Sequence, residues 1–406
     1  MLWTTFDFRP VNAWEKRKLG ELSNIRRGAS PRPISSKKWF SETSSIGWLR
    51  ISDVTEQNGR IYHVAQHLSK EGQKKTLVLT TKHLILSIAA TVGKPVQNYI
   101  ALGIHDGFIV FLNPKFDLDF MFYFLEDYQP KWSRFGQPGS QVNINSELVR
   151  ELEINVPRED EQKKISHVLL NVDNLIAATQ DKLDCLERVK KALLQHLFDQ
   201  SMRFKGYSDP WEKRKFADML DPTDGIRRGP FGSALKKDSF VKHSPFVIYE
   251  QQNAIYNRFS TRYNISEEKF QKLQKFEVLP GDFILSGAGT IGKIARVPKG
   301  IKRGVFNQAL IRLRIDKATT DSEFFLQFLR SDAIQKKLTE TNPGSAIHNL
   351  VPMTELKQWN VFIPRINEQQ SISCLLKRVD DLIAATQSKL SSLETLKKAL
   401  LQGLFI

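Results

Sequence analysis

Gly287-Ala-Gly-Thr-Ile-Gly-Lys293 is the stretch of this 406-residue chain that comes nearest to catalytic chemistry. Its glycines fit a dinucleotide fingerprint, and its closing lysine fits most of a Walker A phosphate loop. A Walker loop needs Ser or Thr after the lysine to hold magnesium, and here that residue is Ile294. The parallel stretch Ala89-Ala-Thr-Val-Gly-Lys-Pro95 lacks the glycines and follows its lysine with proline. No long helix is expected after either stretch, so no helix N-terminus would receive a phosphate. Both read as strand-connecting turns with a lysine at the tip. His63 and His67 have the spacing of two zinc ligands, but the glutamate of His-Glu-x-x-His is missing. Glu161-Gln-Lys163 has the form of the end of a nuclease motif. It sits at a predicted helix start with no metal-binding aspartate strand, and its second copy reads Glu368-Gln-Gln370. No Asn/Asp-Pro-Pro-Tyr/Phe methyltransferase motif occurs, and no Ser/His/Asp or Cys/His set has catalytic spacing. The expected activity is recognition, not catalysis, with no cofactor or metal bound by this chain.

Recognition chemistry is better represented. Two basic glycine loops are expected, Ile25-Arg-Arg-Gly-Ala-Ser-Pro31 and Ile226-Arg-Arg-Gly-Pro-Phe-Gly-Ser233. Arg26, Arg27, Arg227 and Arg228 can pair with phosphates or with guanine edges, and the glycines would let backbone approach the phosphates. Arg32, Lys37 and Lys38 follow the first loop, and Lys236 and Lys237 the second. Lys94 and Lys293 tip the two turns. Amide side chains suited to adenine stand at Gln141, Asn143, Gln251, Gln252, Asn253, Asn307 and Gln308. The net charge is +16, and its distribution matters more than its size. Basic residues outnumber acidic ones from Trp14 to Arg150 and again from Trp211 to Lys357, while Pro157–Phe198 is neutral. Two separated basic blocks suit two nucleic-acid-binding modules.

The elements that must position these residues are written twice. Trp14-Glu-Lys-Arg-Lys18 returns as Trp211-Glu-Lys-Arg-Lys215, Thr91-Val-Gly-Lys94 as Thr290-Ile-Gly-Lys293, and Pro138-Gly-Ser140 as Pro343-Gly-Ser345. Pro157–Phe198 and Pro364–Phe405 agree at well over half of their positions, whereas the blocks before them share only scattered motifs. In the first tail Ile165, Leu169, Val172, Ile176, Leu183, Leu186, Leu193 and Leu197 follow 4-3 spacing, with Thr179 and Lys190 filling the gaps. The second tail repeats the register with Ile372, Leu376, Val379, Ile383, Leu390, Leu393, Leu400 and Leu404. That period is a coiled-coil seam. Proline precedes each helix, acidic residues open the first and Lys190-Lys191 and Lys397-Lys398 stand near the ends, matching the helix dipole. Short β-rich runs such as Leu84–Ile88, Phe108–Leu112, Asp282–Ser286 and Ala309–Leu313 make each block mixed. The expected fold class is α+β, with two small mixed α/β domains separated by two long helices. Those helices would form an antiparallel coiled coil with pseudo-twofold internal symmetry. The expected segments are an extension over 1–13, a domain over 14–156, a helix over 157–203, a domain over 204–363 and a helix over 364–406. Two cysteines, Cys185 and Cys374, are too few for a disulfide framework. No apolar run reaches the roughly 20 residues of a membrane span, and Met1–Pro10 has no secretion pattern. A cytoplasmic protein is expected.

Taken together and in order, these motifs resemble the specificity (S) subunits of type I restriction–modification systems, over essentially the whole chain. The block starts at Trp14 and Trp211 carry the resemblance, with Leu279-Pro-Gly-Asp-Phe-Ile-Leu-Ser286 leading into Gly289-Thr-Ile-Gly-Lys293. So do the Pro-Gly-Ser runs, the Glu-Gln helix starts and the Lys-Lys-Ala-Leu-Leu-Gln-x-Leu-Phe helix ends. The first block departs from the pattern by reading Thr81-Lys-His83 where the second has Pro280-Gly-Asp282. The resemblance implies two target-recognition domains, each reading half of a bipartite site in double-stranded DNA, with helices that set the spacer. It implies partners too. Two methyltransferase (M) subunits would bring S-adenosylmethionine and methylate adenine, and restriction (R) subunits, in systems that cut, would bring ATP with Mg. Two other classes fit parts of the chain: a nucleotide-binding enzyme using Gly287–Lys293, and a coiled-coil DNA-binding adaptor without sequence specificity.

Overall fold

Four helices carry the architecture: α1 (Leu118–Tyr128), α2 (Glu159–Phe198), α3 (Ser322–Arg330) and α4 (Ile366–Leu404). The computed structural model describes residues 14–135, 144–339 and 352–405. It divides into two units, one built from the chain up to residue 180 together with 388 onward, the other from residues 181–387.

The first unit holds a five-stranded sheet in the order Asn24–Arg27, Phe108–Leu112, Leu84–Ser87, Pro95–Asn98, Arg60–Ile61. Its first three pairings are antiparallel and the last is parallel. A three-stranded sheet of Gly47–Trp48, Leu102–Ile104 and Leu77–Leu79 lies beside it in sequence. The repeated Trp-Glu-Lys-Arg-Lys motif forms a clasp: Glu15–Lys18 runs antiparallel to Glu153–Val156, so the block's first strand ties to its last. In the second unit Ile226–Arg228, Leu310–Leu313, Phe283–Ser286 and Ile294–Arg296 repeat the first four strands in the same order. Glu212–Lys215 and Asn360–Ile363 repeat the clasp. A second, four-stranded sheet of Phe240–Val241, Asn264–Ile265, Phe246–Tyr249 and Gly304–Phe306 pairs its last two strands in parallel, as Gly47–Trp48 pairs with Leu102–Ile104 in the first unit, and its inner strand Phe246–Tyr249 is wholly buried.

The helix starts explain the Glu-Gln repeat. Asp117 caps α1 by accepting from the Phe120 amide at 2.8 Å, and Asp321 caps α3 by accepting from the Phe324 amide at 2.9 Å. The amides of these capping residues donate in turn to Gln162 and to Gln369, both at 2.8 Å. Trp14 donates to Glu161 at 3.2 Å, and Trp211 to Glu368 at 3.3 Å. Each long helix is thereby hooked to the short helix and to the clasp of its own block. The buried Gln162 and Gln369 supply both a donor and an acceptor there, as Pro157 and Pro364 carbonyls accept their side-chain amides. The nuclease-like Glu161-Gln-Lys163 is thus a structural joint.

All sixteen expected seam residues of the long helices are buried or half-buried. In the first unit Ile165 and Leu169 of α2 share a core with Leu400, Leu401 and Leu404 of α4 and with Phe405. The start of one helix therefore meets the end of the other, which is antiparallel pairing. In the second unit Leu193, Leu194 and Leu197 share a core with Ile372, Leu375 and Leu376. Lysine occupies a seam position in each helix. Lys397 lies 2.9 Å from Asp173, and Lys190 lies 2.6 Å from Asp380. Asp380 and Lys397 stand 207 residues after Asp173 and Lys190, so the same pair of repeat positions meets once in each unit.

Candidate nucleic-acid interface

The arginines of the expected basic loops belong to strands, which corrects the sequence reading. Arg26 and Arg27 pair with Val110 and Ile109, and Arg227 and Arg228 with Arg312 and Ile311. The glycine that follows has a packing role. The Gly28 amide donates to Phe108 O at 2.9 Å and the Gly229 amide to Leu310 O at 3.0 Å. A Cβ would meet His105 O at 2.2 Å from position 28, and Asn307 O at 1.9 Å from position 229. Glycine is required because the strand leaves its sheet across a neighbouring backbone. No phosphate need be invoked for it.

Within each pair of arginines one has a hydrogen-bond partner and the other has none among the described residues. Arg227 donates to Asp224 at 2.7 Å. Arg312, 1% exposed, reaches the same carboxylate at 2.5 Å, and Arg314 reaches it at 3.0 Å. Burial alone would raise the Asp224 pKa, but the hydrogen bonds and charges of Arg312 and Arg227 outweigh it and hold the carboxyl below its ordinary range. Arg27 donates to Asp106 O at 2.6 Å. Arg26 and Arg228 are exposed and have no ion-pair or hydrogen-bond partner among the described residues. Arg32 is exposed and only 3.7 Å from Asp106, Lys38 lies 4.3 Å over the Trp39 ring, and Lys37 and Lys236 are exposed.

The lysine-tipped stretches are strand-connecting turns, as expected. Thr91–Lys94 leads from Leu84–Ser87 to Pro95–Asn98, and Gly287–Lys293 from Phe283–Ser286 to Ile294–Arg296. Gly93 and Gly292 have φ of 78° and 81°, the left-handed conformation that favours glycine. Lys293 is exposed, and Lys94 is half-buried with its ammonium 3.4 Å from Asn58.

The amides divide differently from the expectation. Asn253 is 1% exposed; its carbonyl accepts from the Glu250 amide at 2.6 Å, and its NH2 donates to Arg258 O and Ser260 O. It fixes a helix start and has nothing left for a base, so the base-reading assignment is withdrawn for it. Gln251 ties the Gly287–Lys293 turn by donating to Ala288 O and, at 3.5 Å, to Thr290 O. Gln252 lies 3.5 Å from Glu250, and Asn307 accepts from the Ala309 amide at 3.1 Å. Gln308 accepts from the Gly232 amide at 2.9 Å, and its NH2 has no partner among the described residues. Gln141 and Asn143 lie outside the described residues, as does the side chain of Lys237.

The structure thus brings Arg227, Arg228 and Gln308 together around one hollow of about 800 Å³, with Phe231, Lys272 and Lys275. Arg32 lines a separate hollow in the first unit with Pro31, Ile34, His105 and Asp106. The sequence reading missed Phe231, Lys272 and Lys275. Phe231 carried a signal, being a large apolar residue between two glycines of a basic segment. Among the described residues, no group of three or more His, Cys, Asp or Glu side chains is placed to hold a metal ion. No helix there is long and apolar enough to cross a membrane.

Comparison with known proteins agrees with this duplicated design. The type I restriction modification DNA specificity domain matches twice, over residues 12–188 and 209–395. A protein described as the type I restriction enzyme MjaX specificity subunit of Methanocaldococcus jannaschii is 22% identical over 96% of this chain and 92% of its own length. The type I restriction enzyme MjaVIII specificity subunit of the same organism is 21% identical over 64% of this chain and 62% of its own. The crystal structure of the type I restriction–modification S subunit from M. genitalium superposes with a TM-score of 0.59 at 14% identity, covering 97% of both chains. The HsdS subunit from Thermoanaerobacter tengcongensis gives 0.52 at 15%, also over 97% of both. With two matches spanning most of its length, one per block and helix, the chain belongs to the type I restriction–modification DNA specificity family.

Proposed function

We propose that this chain is the sequence-reading subunit of a type I restriction–modification complex, with each block reading one half of a bipartite DNA site. The observation that carries the proposal is the contrast between constant and variable parts. The hooks Trp14–Glu161 and Trp211–Glu368, and the seam pairs Asp173–Lys397 and Asp380–Lys190, recur in equivalent places. The outer strands, hollows and exposed cations they carry differ. A shared mount with two different heads suits one DNA duplex read at two different sequences. Arg26, Arg228, Lys37, Lys38, Lys236 and Lys293 supply phosphate or guanine contacts, and Gln308 offers an amide to a base edge. The long helices set the distance between half-sites and dock two methyltransferase subunits. Those subunits carry S-adenosylmethionine and methylate adenine; restriction subunits, where the system cuts, carry ATP and Mg. This chain supplies address and spacing.

The test is exchange of residues 14–156 for the corresponding block of a relative, in the complex assembled with its methyltransferase. Sequencing that detects methyladenine should show one half of the modified site changed and the other half kept. A folded, active hybrid that changes both halves, or neither, rules the proposal out.

A further inference from the structure

We infer that Phe231 is a wedge that enters the DNA base stack beside the half-site read by the second block; the inference rests on that block being a DNA-reading module. Phe231 is 81% exposed, the most exposed of the large apolar side chains among the described residues. It is held there by its backbone. The Gly229 amide donates to Leu310 O at 3.0 Å and Gly229 abuts Asn307, which fixes the chain before it. Pro230 fixes φ just ahead of the ring. After it, the Gly232 amide donates to Gln308 at 2.9 Å, and the Ala234 amide donates to Phe231 O at 2.8 Å. A segment anchored on both sides carries an aromatic ring out into solvent.

The surroundings identify what the ring meets. Arg227, Arg228, Lys272 and Lys275 line the adjoining hollow, Arg227 paired with Asp224 at 2.7 Å and Lys272 with Glu268 at 2.6 Å, and no carboxylate is among the described lining residues. Arg228 is exposed and unpaired among the described residues. An apolar blade inside a cationic rim matches stacked bases inside a phosphate rim. Proteins that deform duplexes insert Phe, Leu, Ile, Met or Pro between base steps in this way. A protein partner would match an apolar blade with an apolar socket, and Arg228 and Lys275, which have no acidic partner among the described residues, give no reason for one. The first unit differs at the same strand exit. Ser30 stands there hydrogen-bonded to Asp106 at 2.6 Å, and that carboxylate lines the hollow. The deformation is therefore assigned to the second half-site alone.

The experiment uses the full chain assembled with its methyltransferase subunits, and duplexes carrying 2-aminopurine at successive steps in and beside the half-site assigned to the second block. One step should brighten with the unsubstituted complex and stay dark with Phe231→Ala, while Phe231→Leu keeps part of the signal. Phe231→Ala should weaken binding by about 10- to 100-fold, and a mismatch at the bright step should restore most of the loss, because that step is already unstacked. Unchanged fluorescence with Phe231→Ala, or an equal loss on matched and mismatched duplexes, overturns the wedge. So does a defect in methyltransferase assembly without DNA, which would assign the ring to a protein partner. Arg228→Ala separates the two levels. If it weakens binding while Phe231→Ala is silent, only the wedge falls; if neither matters and block exchange leaves the half-site unchanged, the DNA reading of the block falls as well.

Discussion

The two helix–block junctions use the same two repeat positions and surround them differently. In the first unit Lys397 sits between Asp173 at 2.9 Å and Glu126 at 3.0 Å, while Arg60 approaches Asp173 to 3.5 Å and Tyr123 donates to it at 2.7 Å. Burial would lower the Lys397 pKa, yet Glu126 and Asp173 outweigh it and raise it above the ordinary lysine range. In the second unit Gln327 stands in the place of Tyr123 and donates to Asp380 at 3.0 Å. Arg330 stands in the place of Glu126, and burial lowers its pKa, with Glu323 and Asp380 opposing. Lys190 therefore faces one carboxylate where Lys397 faces two. The second unit places its most buried ion pair at the helix start, where Glu368, 4% exposed, takes Arg203 at 2.7 Å. Glu161, its counterpart, has only Trp14 as partner among the described residues. A constant helix can thus mount unlike blocks, because the Asp and Lys of the seam accept different neighbours while keeping each other.

The comparison breaks most sharply at the seam lysines. Lys397→Ala leaves Glu126 without a cation and Asp173 with Arg60 alone at 3.5 Å, a change expected to destabilise the first unit by about 3 kcal/mol. Lys190→Ala should cost about 1 kcal/mol, since its side chain and that of Asp380 are 24% and 32% exposed. Hydrogen exchange on the full chain would locate each effect, with faster exchange in the first unit for one variant and little change in the second for the other. Equal effects would show that the neighbours of the seam pair do not matter. Of similar size is Arg203→Ala. It strips the cation from buried Glu368 and should cost about 3 kcal/mol, confined to residues 181–387. If its exchange signature instead spreads to the first unit, the two hooks are not independent.

Arg227 and Arg228 sharpen the comparison at the interface. Arg228→Ala removes an exposed, unpaired charge, so it should leave stability unchanged and reduce the salt slope of DNA binding by about one. Arg227→Ala should leave that slope nearly unchanged and loosen the strand instead, because its guanidinium already serves Asp224. Titrations of the assembled complex against salt would distinguish them. Reversed roles would show that the ion pair with Asp224 opens on DNA.

Much of the scaffold was legible because repetition and the seam period are properties of sequence. The 4-3 spacing picked out sixteen positions of the long helices that are buried or half-buried, and the strands at Leu84–Ser87, Phe108–Leu112, Phe283–Ser286 and Leu310–Leu313 lie where β-rich runs stand between turn residues. The interface was less legible, since a side chain's availability depends on partners distant in sequence. Asp224 stands only three residues before Arg227, but that it also takes Arg312 and Arg314 from a distant part of the chain, and that Arg228 has no partner among the described residues, needs the fold. Nor does the sequence near Asn253 reveal that Arg258 and Ser260 carbonyls claim its amide. The equivalence of Asp173 and Asp380 was readable from the repeat itself, but their meeting with Lys397 and Lys190 needs the antiparallel pairing.

The smallest expected difference between the units is a pH dependence confined to the first. The ring of His105 packs 4.6 Å from Phe108 and 5.7 Å from Trp48, and its Nδ1 accepts from the Gly107 amide at 2.8 Å. Burial lowers its pKa, with Asp106 opposing. The ring is thus neutral at pH 7, and the 3.9 Å approach to Asp106 is no ion pair there. Asn307, its counterpart against the strand-exit glycine, does not titrate. Well above the ordinary histidine pKa of about 6.5, His105 is neutral folded and unfolded, so it contributes no pH dependence there. As pH falls below that value the unfolded chain takes up the proton first, and the first unit loses stability until the folded pKa is passed. The depressed carboxylates Asp106 and Asp119 act at lower pH, since their stabilisation is complete above the ordinary aspartate pKa of about 3.8. Hydrogen exchange at about pH 5.5 and 7.5, corrected for intrinsic rates, should show weaker protection around Phe108–Leu112 at the lower pH. His105→Asn should abolish that difference while leaving Leu310–Leu313 as it was. A pH-dependent loss that survives His105→Asn would place the titrating group elsewhere.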